Sequence, residues 1–209
     1  MRIYFFISLL LMASMSACGG GSDQPAQANN TSNVVVPTSP PLSIYVGTWQ
    51  NPCEFHQQDT VTISMPNTST GNLEVQLQTD YYDGTACTGQ VVGVQTTSAN
   101  LSISYIKTID TFVALIPSGG ASALRVDQIT ASAPTRFDTI TGSKVQRRTT
   151  NGKLQWCMSF SNGDSTCVDD SGAQPARTSQ GAMYTRSNEL YLLSPSTGGY
   201  SVDEKFTRK

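Results

Sequence analysis

Five cysteines and a single histidine are the side chains of this 209-residue chain with the most chemistry open to them. A Ser-His-Asp or Cys-His mechanism would have to use His56, because imidazole is the base that takes a nucleophile's proton near neutral pH. His56 also follows Cys53 at a ligand-like spacing, CEFH, and a thiolate beside an imidazole is a zinc-binding pair. Asp164, Asp169 and Asp170 gather carboxylates without the spacing of a calcium loop, and read as an exposed acidic turn. No metal and no cofactor is expected.

Two short strings invite comparison with hydrolases. SYIK, Ser104 to Lys107, has the Ser-x-x-Lys spacing of penicillin-binding enzymes, which works when a helix start puts serine and lysine on one face. Here the surrounding residues alternate as in a strand, so the two are expected on opposite faces, and neither SDN nor KTG accompanies them. GDS, Gly163 to Ser165, falls in the turn cluster SNGD without further hydrolase blocks. A non-enzymatic protein is the expectation.

Cys18 is set apart from the other cysteines. Arg2, the largely apolar run Ile3 to Met12 and the small residues Ser14, Ser16 and Ala17 have the three regions of a secretory signal over residues 1–17. The run is too short for a spanning helix, which needs about 20 residues. Met15, Ser16, Ala17, Cys18 resemble a bacterial lipobox, with methionine where leucine is usual. That resemblance implies cleavage before Cys18, diacylation of its thiol and acylation of the new amine. With Gly19 rather than aspartate next, it also implies release to the outer membrane of a Gram-negative bacterium. Several acyl chains, at about 0.8 kcal/mol per buried methylene, anchor firmly. The expected location is the cell envelope, with the membrane as partner through the lipid.

Residues 18–43 follow as lipidated cysteine and linker, rich in Gly, Ser, Asn, Gln and Pro with Asp23 as their one charge. Such a segment buries too little apolar surface to offset the entropy of ordering. Its reach as a flexible coil is on the order of 25 to 30 Å. Val34 to Val36 could add an edge strand. Residues 44–209 are then a single domain. Removing the signal takes away one cation and no acid, lowering the net charge from −2 to −3. A dispersed, slightly negative charge excludes nucleic acid as a partner and electrostatic docking of the whole domain onto anionic lipid.

The domain's pattern has period two. In NLEVQLQTDYYD, Asn72 to Asp83, Leu73, Val75, Leu77, Thr79 and Tyr81 share one face, which is a half-buried strand. Asp59 to Met65 and Leu101 to Tyr105 repeat the pattern. Asn151 and Gly152 predict a two-residue hairpin turn that sets Thr149 opposite Leu154 and Arg147 opposite Trp156. Leu154, Trp156, Met158 and Phe160 then line one apolar face, with Arg147 over the indole. Further strands are expected at Thr111 to Ile116, Leu124 to Thr130, Met183 to Thr185 paired with Glu189 to Leu193, and Lys205 to Lys209.

With Cys18 lipidated, Cys53, Cys87, Cys157 and Cys167 form an even set in an oxidising compartment, for which three connectivities exist. Cys53 with Cys87 and Cys157 with Cys167 is the favoured set. The second pair is symmetric about Asn162, which places its members across a hairpin.

Gly47, Thr48, Trp49 at the first strand resemble the Gly-x-Trp that opens lipocalin-like barrels, and the chain ends in a strand carrying Arg208. That resemblance implies an all-β, antiparallel barrel. Trp49 would close its floor, Gly47 would precede it, and Arg208 or Arg186 would pack over the indole. A two-layer β-sandwich is the alternative fold. Two functions follow. One is a module binding an apolar small molecule in a chamber lined by Leu73, Val75, Tyr81, Ile103, Tyr105 and Trp156, chosen by inward phase. The other is a structural or protein-interaction lipoprotein with a filled core, partnering an envelope protein.

Overall fold

β-Branched and aromatic side chains recur at alternate positions through most of the domain, and such side chains fit a pleated, half-buried surface better than a helix. The computed structural model describes residues 41–115 and 120–209. The signal, Cys18 and the linker to residue 40, with Val34 to Val36, lie outside the described residues. Pro41, Leu42 and Ser43, expected as the end of the linker, instead begin a 3-10 helix, Pro41–Tyr45, because Leu42 and Tyr45 are drawn into the core.

The strands are β1 (Gly47–Gln50), β2 (Gln57–Asn67), β3 (Asn72–Gly84), β4 (Thr88–Thr97), β5 (Leu101–Leu115), β6 (Gly120–Ala133), β7 (Asp138–Thr141), β8 (Val145–Thr150), β9 (Lys153–Ser159), β10 (Ser165–Asp169), β11 (Arg177–Arg186), β12 (Glu189–Ser196) and β13 (Gly199–Arg208). Pairing runs from β1 to β2, β3, β5, β6, β11, β12 and β13 and back to β1, each step antiparallel, so these strands form a ring. β4 extends the sheet from the C-terminal half of β3, and β7 pairs on β4. β8, β9 and β10 form a separate three-stranded sheet.

The expected strand Leu101 to Tyr105 and the described part of Thr111 to Ile116, as far as Leu115, belong to one element, β5, bent at a bulge where Ile106 is the extra residue between Tyr105 and Lys107. A bulge bends and twists its strand. Beyond it, the β5–β6 hairpin covers the outer face of β11 and β12, packing Val113 and Val126 against Ala182, Tyr184 and Leu193. The hairpin closes onto β13 through a short parallel pairing of Val113 with Tyr200 and Ala114 with Ser201. Gly199 permits that approach, since a Cβ there would stand 2.1 Å from the Phe112 carbonyl oxygen. β11 therefore faces two cores at once, with Met183 on one side and Ala182 and Tyr184 on the other.

A further core lies between β3, β4, β7 and the three-stranded sheet, where Tyr81, Val92, Ile140, Met158 and Phe160 are buried together and Val145, Trp156 and Val168 pack against them. The hairpin register is Thr149 with Leu154 and Arg147 with Trp156, and Asn151 adopts the positive φ of its turn. Leu154 does not join the apolar face: near the hairpin tip it reaches past the core and stays 38 % exposed. β4, β7 and β10 had no clear signal, since glycines interrupt β4 and the other two strands are four and five residues long.

Candidate functional site

Residues from both ends of the domain meet where β1 pairs with β13. Trp49 of β1 pairs in register with Arg208 of β13, so the two side chains share a face. The Arg208 guanidinium lies 4.2 Å above the indole centroid, a cation–π contact, and Trp49 is completely buried. The guanidinium donates through its two Nη atoms to the carbonyl oxygens of Val46 and Ile44, and the indole Nε1 donates to that of Tyr45. Gly47 has a φ of +146°, which side chains rarely adopt, and a Cβ there would meet Arg208 Nη1 at 2.8 Å and displace the guanidinium. Arg186 lies at the neighbouring strand end, in register with Glu189.

Inside, Tyr45 Oη contacts Asp127 Oδ2 at 2.7 Å and the Met183 carbonyl oxygen at 2.9 Å, while the Thr108 hydroxyl donates to Asp127 Oδ1. Burial first, and then the Asp127 carboxyl, push the Tyr45 phenol well above its usual range. Thr79 is also buried and donates to Asp59, and most of the other covered side chains of these strands are apolar. Leu42, Trp49, Leu73, Met183 and Leu190 retain no accessible surface, and Val61, Ile63, Val75, Ile129 and Phe206 retain little. A chamber holding even a small molecule would leave water-sized room against its lining, and these side chains have almost none.

The six residues chosen by inward phase do not line one space. Leu73 and Val75 of β3 lie beside Ile103 and Leu101 of β5 within the ring. Tyr81, farther along β3, belongs to the core under the three-stranded sheet and donates its hydroxyl to Gln95. Trp156 packs at the edge of that second core. Tyr105 is 37 % exposed, where β5 bends at Ile106, and its hydroxyl meets Thr108. The same bulge sets Ser104 opposite Thr130 and Lys107 opposite Gln128, which places serine and lysine on one face and corrects the expectation of opposite faces.

Just past β1, Cys53 is joined to Cys87, and in the three-stranded sheet Cys157 of β9 is joined to Cys167 of β10. A cystine sulfur is no thiolate, so Cys53 and His56 do not form a zinc pair, and among the described residues no cluster of metal-ligating side chains occurs. His56 is buried, stacked on Phe160 with centroids 3.6 Å apart, and its Nδ1 lies 2.9 Å from the Tyr82 carbonyl oxygen. A carbonyl only accepts, so Nδ1 carries a hydrogen and donates it to Tyr82. Among the described residues Nε2 has no hydrogen-bond partner, and a carboxylate oxygen of Asp164 is 3.9 Å away. That is beyond hydrogen-bonding range, and among the described residues no hydroxyl or thiol hydrogen-bonds to this nitrogen. Phe55, beside it, holds a positive φ and is 77 % exposed.

No family model, curated protein or solved structure matches this chain. Its site has to be judged on geometry alone. Among the described residues no helix is long and apolar enough to cross a membrane.

Two polar groupings had no sequence signal. Asp83 accepts from Lys144 Nζ at 2.8 Å and from the Ser161 backbone amide and hydroxyl, and these contacts hold its carboxyl down to about 2. They tie β3 to the segments flanking the three-stranded sheet. Arg136 is buried with Nε unpartnered, and burial, followed by the charge of Arg177, draws it below the usual arginine range. Arg177 borders an open groove of about 570 Å³ on the outside of β5, β6 and β11, with Asn100, Ser102, Ser132 and Thr178 among its lining. Asp127 had no signal either, since it alternates with Leu124 and Val126 and shares its face with Arg125 and Ile129. Arg136 sits between strands, where no periodicity marks it.

Proposed function

We propose that the protein is a lipid-anchored envelope protein, held at Cys18 in the outer membrane, whose lipocalin-like domain acts through its surface and has a filled core. The observation that carries this reading is the packed ring interior around Trp49, Leu73, Met183 and Leu190. A barrel interior either encloses a ligand or is filled by its own side chains, and this packing favours the second. The barrel assignment is supported by the ring of antiparallel strands, by Trp49 under Arg208 and by Gly47 at its close approach. The anchor is supported by the order of charge, apolar run, small residues and cysteine in residues 1–18. A non-enzymatic role is supported by His56, whose Nε2 meets no hydrogen-bond partner among the described residues.

Native mass spectrometry of the envelope-purified protein, compared with its mass after denaturation, tests the reading. The expected spectrum shows the polypeptide plus covalent lipid and nothing that leaves on denaturation. A reproducible non-covalent small molecule would instead make the ring a carrier.

A further inference from the structure

We propose that the Trp49–Arg208 end of the domain rests on the bilayer that holds Cys18, with Ile44 and Val46 entering its interface. The proposal builds on the lipid-anchor reading above and adds an orientation to it. The chain from the anchor enters the described structure at Pro41, three residues before Ile44, so this turn is the part of the domain nearest the tether. Ile44 is 53 % and Val46 38 % exposed, on either side of buried Tyr45. A single exposed apolar residue is ordinary, but two flanking the tether's point of entry on one turn are placed to meet whatever the tether holds.

A second observation concerns the backbone. An apolar turn cannot enter a water-poor interface unless its polar groups are already satisfied. The successive carbonyls of Ile44, Tyr45 and Val46 accept from Arg208, Trp49 and Arg208 respectively, and the Val46 amide donates to Ser43. The turn can therefore lose water without leaving those groups unpaired. Arg186, Arg208 and Lys209 crowd the same strand ends, where Glu189 pairs with Lys205. Cations beside apolar side chains suit the headgroup region, even though the domain as a whole is slightly negative.

The test uses residues 18–209 coupled through the Cys18 thiol to a maleimide phospholipid in nanodiscs of phosphatidylethanolamine and phosphatidylglycerol. Methyl signals are read with and without a headgroup spin label. The expected result is attenuation of Ile44 and Val46 at least threefold stronger than that of Val91 and Leu154, which are exposed elsewhere on the domain. Equal attenuation at the four residues, or stronger attenuation at Val91 or Leu154, overturns the proposal. In the double variant Ile44→Gln, Val46→Gln, the amides of residues 43–46 should lose their attenuation while the Trp49 indole signal is unmoved. Unchanged amide attenuation would also overturn it. The coupled lipid supplies the tether artificially, so the mass of the native amino terminus reports on the anchor reading separately.

Discussion

The ring around Trp49 and the three-stranded sheet of β8 to β10 are built from the same kind of short antiparallel strand, but different forces hold them. In the ring, residues at alternate positions of neighbouring strands vanish from solvent, and Trp49, Leu73 and Leu190 are wholly covered. In the small sheet, β8 buries almost nothing: after Val145, residues Gln146 to Thr150 are all exposed. Its apolar contribution is confined to Met158, Phe160 and the partly covered Val145, Trp156 and Val168. A few strands with one thinly covered face are marginal alone in water. Cross-links offset that: the Cys157–Cys167 cystine, the Arg147–Asp170 ion pair and the Lys144–Asp83–Ser161 contacts. Where the chain closes on itself, burial suffices, and where it ends in a free edge, covalent and ionic ties replace burial.

The largest effect is expected on the ring side. Trp49→Ala should destabilise the domain by about 3 to 5 kcal/mol in denaturant unfolding, since it empties a fully buried site and leaves the Arg208 guanidinium without its ring. A loss under about 1 kcal/mol would mean that the ring is not held by burial around Trp49.

Second is the cystine of the small sheet. The double variant Cys157→Ser, Cys167→Ser should lose about 2 to 3 kcal/mol in the loop-entropy model. Hydrogen exchange sharpens the comparison: β8 to β10 should lose protection while β1, β12 and β13 keep theirs. Equal loss in both regions would show one cooperative unit where two are drawn here.

A smaller change is expected for Arg147→Ala, which removes the guanidinium 5.0 Å from the Trp156 ring centroid together with its ion pair to Asp170. The cost should be about 0.5 to 1 kcal/mol, seen in exchange from β8 and β9 and not from the ring.

The smallest effect belongs to Asp83, which is partly buried, and its signature is a dependence on pH. Its folded-state pKa of about 2 lies below the ordinary 3.8. A depressed carboxylate pKa stabilises the fold above the unfolded value, and that stabilisation disappears as pH falls through the folded one. The stability gap between the wild type and Asp83→Asn should thus be constant above pH 5 and close between about pH 4 and pH 2. A gap unchanged across that window would leave the Lys144 and Ser161 contacts without an electrostatic role.

Much of this architecture was legible because local rules and global packing agree. The register of β8 with β9 follows from Asn151 and Gly152, since a two-residue turn leaves no freedom in which residues face each other. The inward face of β3 follows from alternation. Legibility stops where a strand serves two neighbours: Leu73 and Tyr81 share a face of β3 but enter different cores, because β3 runs past the ring and under the small sheet. It stops again at Ile106, where one extra residue changes the phase of β5 and brings Ser104 and Lys107 to one side. Nothing in the string SYIK announces a bulge, which arises from the need to bend β5 and β6 around β11 and β12.

By itself the sequence determined strand content, the turns and the cysteines able to cross-link, because these depend on a side chain and its near neighbours. Only the tertiary structure decided that Trp49, Leu73, Met183 and Leu190 are wholly covered, that His56 Nε2 meets no hydrogen-bond partner among the described residues, and that Arg208 caps the carbonyls of Ile44 and Val46 from more than 160 residues away in the chain. Packing density and hydrogen-bond satisfaction belong to groups that meet in space, and period-two alternation carries no information about which of them will meet.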